Sequence, residues 1–432
     1  MTAGSAFDVG TGGAGGGADR RLFYGWRIVG LTVLAQLIAV GCTSYIFGIY
    51  VAPVATELDA SRLVVTSGLA VLLLSMTFVT PVLGHWLDRH SIRNAMSLGA
   101  LLMGLGFGAL SLATAIWQMG LILVFLVGLG AAMLGHLPSS KLVTNWFSAQ
   151  RGRALGISTL GTSLGGFLLP PLAAWLILTI GWRGSLFCLS LSILFVVLPL
   201  VYLTVVNTPR DLGLEVDGGA GLAVPDTGLE TAVAQAPSAG VREILSNRSF
   251  WGIGLCVGCM ASLGAVFLTH FAPYATEYDF SLAQAALVMS CYAVTAMVGK
   301  LGFGYLADSY DKRLLLRIAI VWNSLFWVIY LGPHSLTAMM LGGAVLGLGS
   351  GAVMPLWNAL VGACFGRLVF ARTMGYMSLL TLPLIVFPMP LGGWIYDQTG
   401  SYLLIFQGAM LLFPLAFLAT FLIRVPDREP DS

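Results

Sequence analysis

Charge is what this sequence has least of. Only 9% of its 432 residues are Asp, Glu, Lys or Arg, against about 25% in a soluble domain. With 57% hydrophobic residues and a mean hydropathy of +0.89, the chain cannot maintain a water-facing surface, and soluble classes are excluded. Lysine is rarer still, with three copies at positions 141, 300 and 312. Acidic residues occur at tails, loops and the ends of apolar runs, never in their middles. Six cysteines (42, 188, 256, 259, 291 and 364) all lie in apolar stretches, and Cys256-x-x-Cys259 has the spacing of a redox pair but no polar company. They read as small packing residues. No phosphate-cradling glycine loop, zinc-ligand cluster or triad of nucleophile, base and orienter is present. The expectation is therefore no enzyme, no cofactor, no metal and no nucleic-acid partner.

What the chain does have is length in its apolar runs. A bilayer crossing takes about 20 residues. Twelve runs can be read: 27–52, 63–86, 94–115, 118–146, 154–178, 183–205, 250–275, 282–306, 314–332, 336–363, 373–396 and 401–424. The gaps at 116–118 and 178–183 are short enough to be tight turns. Residues 1–23, with "GTGGAGGGAD", form an expected disordered tail without the apolar core of a signal peptide. Residues 24–206 and 250–424 form two six-helix bundles, 207–249 a polar linker and 425–432 a C-terminal tail. The fold class is an all-α membrane protein with 12 transmembrane helices. With both termini and the linker in the cytoplasm, 17 of the 21 Lys/Arg residues face it, and only Arg62 and Arg183 lie outside. That is the orientation the positive-inside rule selects.

The two halves repeat. "VAPVATELD" from Val51 and "FAPYATEYD" from Phe271 share Ala-Pro-x-Ala-Thr-Glu-x-Asp at an offset of 220 residues. Gly84-x-x-x-Asp88 and Gly304-x-x-x-Asp308 keep that offset, and Gly181 and Gly400 follow at 219. A parallel repeat of six spans is an architecture of transporters, whose halves rock about a central site. Each Ala-Pro phrase is expected to close the first span of its half at the outer side. Pro53 or Pro273 would end the helix, and the Glu, Asp and Thr would cap the next one.

"GHWLDRHSIR" resembles the loop signature of the major facilitator superfamily, with Ser91 standing where that family usually has Gly. The resemblance covers nearly all of residues 24–424. It implies a conformational gate in which Asp88 and Asp308 hold helix-end cations while Arg89 and Arg93 pair across the halves and lock the outward-facing state. Ordinary topogenic charges remain the alternative for the arginines. "FYGWRIV", "NWFSAQRGRALGI", "GWRGSLF", "THFAPYATEYDFS" and "GGWIYDQTGSYLLIF", in that order, resemble the monocarboxylate transporter and oxalate–formate antiporter branch.

Two lysines inside apolar runs need a reason, because a buried charge costs about 2.5–3.5 kcal/mol on insertion scales. Lys300 lies two helical turns before Asp308, about 12 Å from the helix end and beyond easy snorkelling reach. With no intramembrane carboxylate to pair with it, an anionic cargo is expected, and the branch resemblance places a substrate-binding Arg at this position. Lys is a point donor rather than a fork, and it can also lose a proton. Lys141 is nearer a span end, where snorkelling competes with a cavity-facing role. His270 stands where the branch has a His, suited to proton relay; His136 is a weaker candidate of the same kind. Tyr45 and Tyr376 could offer hydroxyls and apolar walls to an organic acid, or could be ordinary packing residues. Ser350 stands where the branch tends to have Tyr, a change that enlarges the pocket. Gly156, Gly161, Gly165 and Gly166 resemble the fifth-span glycines of drug antiporters without the Pro that should follow, and read more simply as helix-contact residues.

The expected function is secondary transport of an organic carboxylate, a monocarboxylate first, by proton-coupled symport in a multi-pass cell (inner) membrane protein. The expected unit is a monomer, and the partners are the anion, protons and the bilayer. Exchange of one anion for another, or export of drug-like compounds on the same fold, are the alternatives.

Overall fold

The computed structural model describes residues 23–147, 150–216, 241–330, 335–365 and 369–425. The expected tails and the centre of the linker lie outside the described residues. Among the described residues the chain is helical throughout, without strands.

The first span is α1 (Tyr24–Val40), a π-helical turn at Gly41–Tyr45, and α2 (Phe47–Glu57). Next come α3 (Arg62–Arg89) and α4 (Ile92–Leu112). The fourth span comprises α5 (Ile116–Ile122), a π turn, α6 (Leu129–Leu134) and α7 (His136–Trp146). Then α8 (Arg151–Ser192) runs on into α9 (Leu198–Thr204). The short α10 (Val241–Ser246) leads into α11 (Arg248–Glu277), followed by α12 (Leu282–Ser309), α13 (Lys312–Tyr330) and α14 (Leu336–Phe365). The chain ends with α15 (Phe370–Val386), α16 (Pro388–Thr399), α17 (Leu403–Ala409) and α18 (Leu412–Ala419).

Ten of these stretches are long and apolar enough to cross a membrane. One of them, Arg153–Thr204, has 52 residues. At 1.5 Å per residue it would be far longer than a bilayer of about 30 Å. It does not run straight: Gly181 adopts φ 75°, ψ 167°, where a side chain would be strained, and reverses the chain at the expected turn. α13, at 19 residues, falls outside the ten.

Each half has its own apolar core. One cluster joins residues from Ile28 to Val205, the other from Ile244 to Ile423. The exceptions are informative. Tyr45, Ile49 and Ala174 belong to the second core, while Ala265 and Met389 belong to the first. These five side chains interlock the halves.

The repeated phrase is used twice in the same way, but not as a proline stop. Pro53 and Pro273 lie inside α2 and α11, and both helices run four residues further, to Glu57 and Glu277. A proline removes one ladder bond and can leave a helix kinked rather than ended. The stops are Asp59 (φ 47°) and Asp279 (φ 62°), the only non-glycine residues with positive φ among the described residues. Each is followed by the same 6→1 closure, Ala60 N–H to Ala55 O and Phe280 N–H to Ala275 O, at 3.0 and 3.2 Å. The following helices are capped by Ser61 and Ser281, not by the phrase's own Thr or acids.

The glutamates have another task. Glu57 accepts from Trp182 Nε1 and from Arg183 Nε (2.7 Å), while Glu277 accepts from Ser401 Oγ (3.1 Å) and Tyr402 N–H (3.2 Å). Positions 182 and 183 plus the repeat's 219 are 401 and 402. In each half, the end of the first span is thus tied to the residues just past the glycine reversal, Gly181 in one and Gly400 in the other.

Candidate functional site

The ends of the bundle are named by their loops: the distal end carries Asp59 and Asp279, the proximal end His90 and Asp311. Lys300 lies in α12 between them. Its ammonium crosses to the other half and donates to Thr162 Oγ1 (2.8 Å) and Ser163 Oγ (3.0 Å) on α8. Among the described residues no carboxylate bonds to it. Two neutral hydroxyls satisfy two of its three N–H groups and leave the charge uncompensated. Lysine can hold this place because α12 and α14 approach through glycine: a Cβ on Gly351 would come 2.8 Å from the Lys300 amide nitrogen.

Polar side chains continue along the same wall. Ser158, one turn before Thr162 on α8, donates to Thr32 Oγ1 (2.8 Å) and receives Gln36 Nε2 at 2.7 Å. The Gln36 Oε1 faces His136 Nδ1 at 3.5 Å, and Ser140 Oγ stands 3.5 Å from the imidazole's other nitrogen. His136 follows the helix break at Gly135. Lys141, further along α7, is half-buried; neither it nor Lys300 is among the residues that bound the cavity between the halves.

Tyr45 sits on the π turn of the first span, 8% exposed. Its ring rests on Gly166, where a Cβ would collide with it, and lies 6.5 Å from the ring of Tyr292 in the other half. The other fifth-span glycines behave as contact residues too, with Gly161 against Val33 and Gly165 against Leu37, while Gly156 faces open space. Between the halves is a cavity of about 250 Å³, bounded by Ser44 and Leu73 on one side and by Met260, Tyr292, Ser350 and Met389 on the other. A larger, almost wholly apolar cavity of about 370 Å³ lies inside the first half around Tyr50, Val65 and Phe107. It contains none of the candidate residues.

The remaining candidates are dispersed. His270 is fully enclosed in the second half, its ring 5.3 Å from that of Tyr402, against Gly392 and facing the carbonyls of Pro388 and Met389. Tyr376, on α15, packs against the second core and does not line the cavity. The gate residues Asp88, Arg89 and Asp308 have helical backbones, but their side chains lie outside the described residues. Arg93 does not reach across the halves: its guanidinium lies over the Tyr202 ring (5.4 Å) of its own half. Ser91, the departure from the family's Gly, caps α4 by accepting from Asn94 N–H and bonds to Asn207.

The distal contact between the halves was not foreseen. Asp397, at the end of α16, accepts from the backbone N–H groups of Arg62 (2.8 Å) and Leu63 (2.9 Å) at the start of α3. Arg62 in turn lies 5.4 Å over the Tyr396 ring. Other contacts between the halves are also distal or central, including Ser290 Oγ to Phe167 O (2.8 Å). The main pairs that meet are α2 with α11, α3 with α16, and α8 with α12.

Known proteins agree with this architecture. The chain is 24% identical over 425 residues to monocarboxylate transporter 13 of Bos taurus, covering 95% of this chain and 93% of that protein. It is 27% identical over 346 residues to monocarboxylate transporter 12 of Rattus norvegicus, covering 76% and 71%. In three dimensions it resembles a bacterial homolog of the human lysosomal transporter Spinster, in an inward-facing and unoccupied conformation. That likeness has a TM-score of 0.73 at 16% identity and covers 93% of this chain and 98% of that one. The family model of the Major Facilitator Superfamily matches residues 32–287 and 254–432. This multi-pass membrane protein is therefore a transporter rather than an enzyme, and it belongs to the major facilitator superfamily.

Proposed function

We propose that the chain moves an organic carboxylate, a monocarboxylate first, by alternating access with protons as the coupling ion. The observation that carries this is Lys300, a central ammonium held, among the described residues, by the hydroxyls of Thr162 and Ser163. A carboxylate would replace those neutral acceptors with the counter-charge that the site lacks, offsetting the desolvation of both ions. The monocarboxylate transporters among its relatives support the same substrate class.

In this proposal the chain crosses the membrane twelve times as two bundles, 24–206 and 250–424. The linker 207–249, the tails and the proximal end lie on the cytoplasmic side, following the distribution of Lys and Arg. The Asp397 contact closes the outer side, making this conformation inward-facing. Asp88, Arg89, Arg93 and Asp308 would then come together in the opposite state, so Arg93 lying over Tyr202 belongs to the open cytoplasmic side. Tyr45 forms the roof of the site. Lys300 is the proposed proton carrier and His270 a second one, acting from the α11–α16 contact. Lys141 and Tyr376 contribute from outside the cavity. One chain supplies both halves, so a monomer is the proposed unit.

The test is uptake into proteoliposomes with an inside-alkaline pH gradient. Lys300→Ala should reduce carboxylate uptake by about 30-fold or more, as expected when one partner of a buried charge pair is removed at a cost of about 2–5 kcal/mol. Lys300→Arg should retain binding. Wild-type rate and affinity in Lys300→Ala would remove the lysine from the site.

A further inference from the structure

α8 packs against α1 of its own half and against α12 of the other. Ser158 stands one turn before Thr162 on α8, about 6 Å along the helix. Residues four apart share a helix face, so the hydroxyls that hold Lys300 adjoin the polar group around Ser158. Within that group each proton has a forced direction. The Ser158 carbonyl can only accept, so Gln36 turns its amide nitrogen to it (3.1 Å) and to Ser158 Oγ (2.7 Å). Ser158 Oγ then donates to Thr32 Oγ1 (2.8 Å), and Thr32 Oγ1 to the Val29 carbonyl (2.8 Å). All three side chains are buried.

Fixing the amide fixes the histidine. Gln36 Oε1 is left facing His136 Nδ1 at 3.5 Å, and an amide oxygen only accepts. Nδ1 therefore carries the hydrogen in the neutral ring, and Nε2 keeps its lone pair. Ser140 Oγ, 3.5 Å from Nε2, can donate to it or, after rotating, accept from it. The ring can thus take one proton at Nε2 without disturbing the Gln36 network. Unlike Gln36, His136 is exposed.

The charge that acts on this imidazole comes from the other half, from Lys300. On the helices packed against α7, Arg27, Arg93 and Arg153 lie over Tyr24, Tyr202 and Trp26, and His90 faces the Trp86 carbonyl. Lys141 is the other charged residue of α7 itself. The side chains of His85, Asp88, Arg89 and Arg151 lie outside the described residues. Like charges oppose each other, and a carboxylate bound to Lys300 would offset its ammonium as the ring meets it.

We propose that His136 is a proton site beyond Lys300 and His270: its Nε2 takes up one proton as a carboxylate binds at Lys300, and gives it up toward the proximal end as the carboxylate leaves. This rests on Lys300 holding the carboxylate. Coupling is reciprocal, so the proton tightens the carboxylate as much as the carboxylate tightens the proton. Gln36 is the positioning residue that keeps Nε2 free.

Two assays on proteoliposomes test this with labelled lactate and pyruvate, whose carboxyls stay ionised at every pH used. Exchange, with the same acid and equal pH on both sides, needs binding but no net proton movement. Accumulation under an inside-alkaline gradient needs both. In the wild type the exchange KM should be about 5-fold or more higher at pH 7.5 than at pH 5.5, the low end of ordinary coupling between sites. His136→Gln should exchange with the wild type's high-pH KM at every pH and should lose accumulation. Gln36→Leu should keep exchange and move the midpoint of the pH dependence to lower pH, because the imidazolium loses an acceptor. A wild-type KM that is flat over this range would overturn the coupling, whatever the variants do, and so would wild-type accumulation in His136→Gln. If His136→Gln exchanges nothing, Gln36→Leu decides, and an unmoved midpoint there overturns the proposal. Lys300→Ala should fail in both assays. Its failure beside a flat wild-type KM would overturn His136 alone, whereas wild-type exchange in Lys300→Ala would remove the lysine and the coupling with it. If the wild type moves neither acid, the carboxylate reading and this one fall together.

Discussion

The carboxylate of Asp397 caps the backbone of Arg62 from the opposite half of the protein, with a second bond to the next amide, Leu63. A helix N-terminus offers unpaired N–H groups and the positive end of the dipole, so an aspartate there is a charge-assisted latch. The repeat makes the latch asymmetric. The position equivalent to Asp397 is Leu178, and that equivalent to Arg62 is Leu282, so only one of the two related distal contacts carries an acid.

Asp397→Asn should therefore favour opening at the distal end. Replacing a charged acceptor with a neutral one should cost about 1–2 kcal/mol, a shift of roughly tenfold in the balance between states. An impermeant thiol reagent applied from the distal side reports this through a single cysteine at Ser44 in a cysteine-free background. Faster labelling in Asp397→Asn is the expected outcome. Unchanged labelling would show that apolar contact between α3 and α16 closes that side without the latch.

Thr162 and Ser163 make a second prediction possible. They hold the Lys300 ammonium where a carboxylate is proposed to sit. Removing both hydroxyls, in Thr162→Val with Ser163→Ala, leaves a buried donor group short of acceptors, at about 1–3 kcal/mol for each lost partner. The substrate-free protein should melt at a lower temperature in detergent. A transported carboxylate should raise the melting temperature more in the double variant than in the wild type, because the ligand supplies what the variant lacks. A variant as stable as the wild type without ligand would mean that the hydroxyls contribute nothing to holding Lys300.

Much of the fold was legible because it is written in long-range regularities. Apolar run length marked the helices, ten of which among the described residues are long and apolar enough to cross a membrane, and the copies displaced by 220 and 219 residues fall in the two separate apolar cores. The turn expected between 178 and 183 falls at Gly181. Local chemistry was harder. Proline was expected to stop α2, yet the stop falls at Asp59 because the left-handed turn and its 6→1 bond end the helix later. Lys300 stood out from sequence as a charge without a partner. Its hydroxyl partners did not, since Thr162 and Ser163 lie 138 and 137 residues away on another span. Tyr292 was hidden among thirteen tyrosines, and nothing local marks the one that borders the cavity between the halves. Asp397 was visible as an acid at a span end, but such acids usually meet water. Only the approach of α3 makes this one a cap.

Gly181 and Gly400 are the repeat's paired reversals, at φ 75° and 71°. A Cβ at either would meet open space, so crowding is not the constraint. The positive φ itself is, at about 1–3 kcal/mol for a residue with a side chain. Gly181→Ala and Gly400→Ala should each lower the melting temperature in detergent, whereas Gly156→Ala, also in open space but on a helix, should not. Equal effects at all three positions would rule out backbone conformation as the cause.

The tie from Glu57 to Arg183 gives a pH dependence whose sign can be worked out. Hydrogen bonds from Arg183, then from Trp182, hold the Glu57 carboxyl below the usual carboxylate range. A carboxyl with a lowered folded pKa binds fewer protons folded than unfolded near that range, so folding gains from the tie at higher pH. The contribution is fully present above the unfolded value of about 4.3 and is lost as pH falls through the lower folded value. Glu57→Gln removes the ionisation and keeps the shape. At neutral pH the variant should melt below the wild type, and as the pH falls past 4 the two curves should converge. Exposure of the pair, at 32% and 48% for the two side chains, also makes the difference sensitive to salt. A gap between wild type and Glu57→Gln that stays constant into strong acid would mean that the loss of the carboxylate's charge is not its cause.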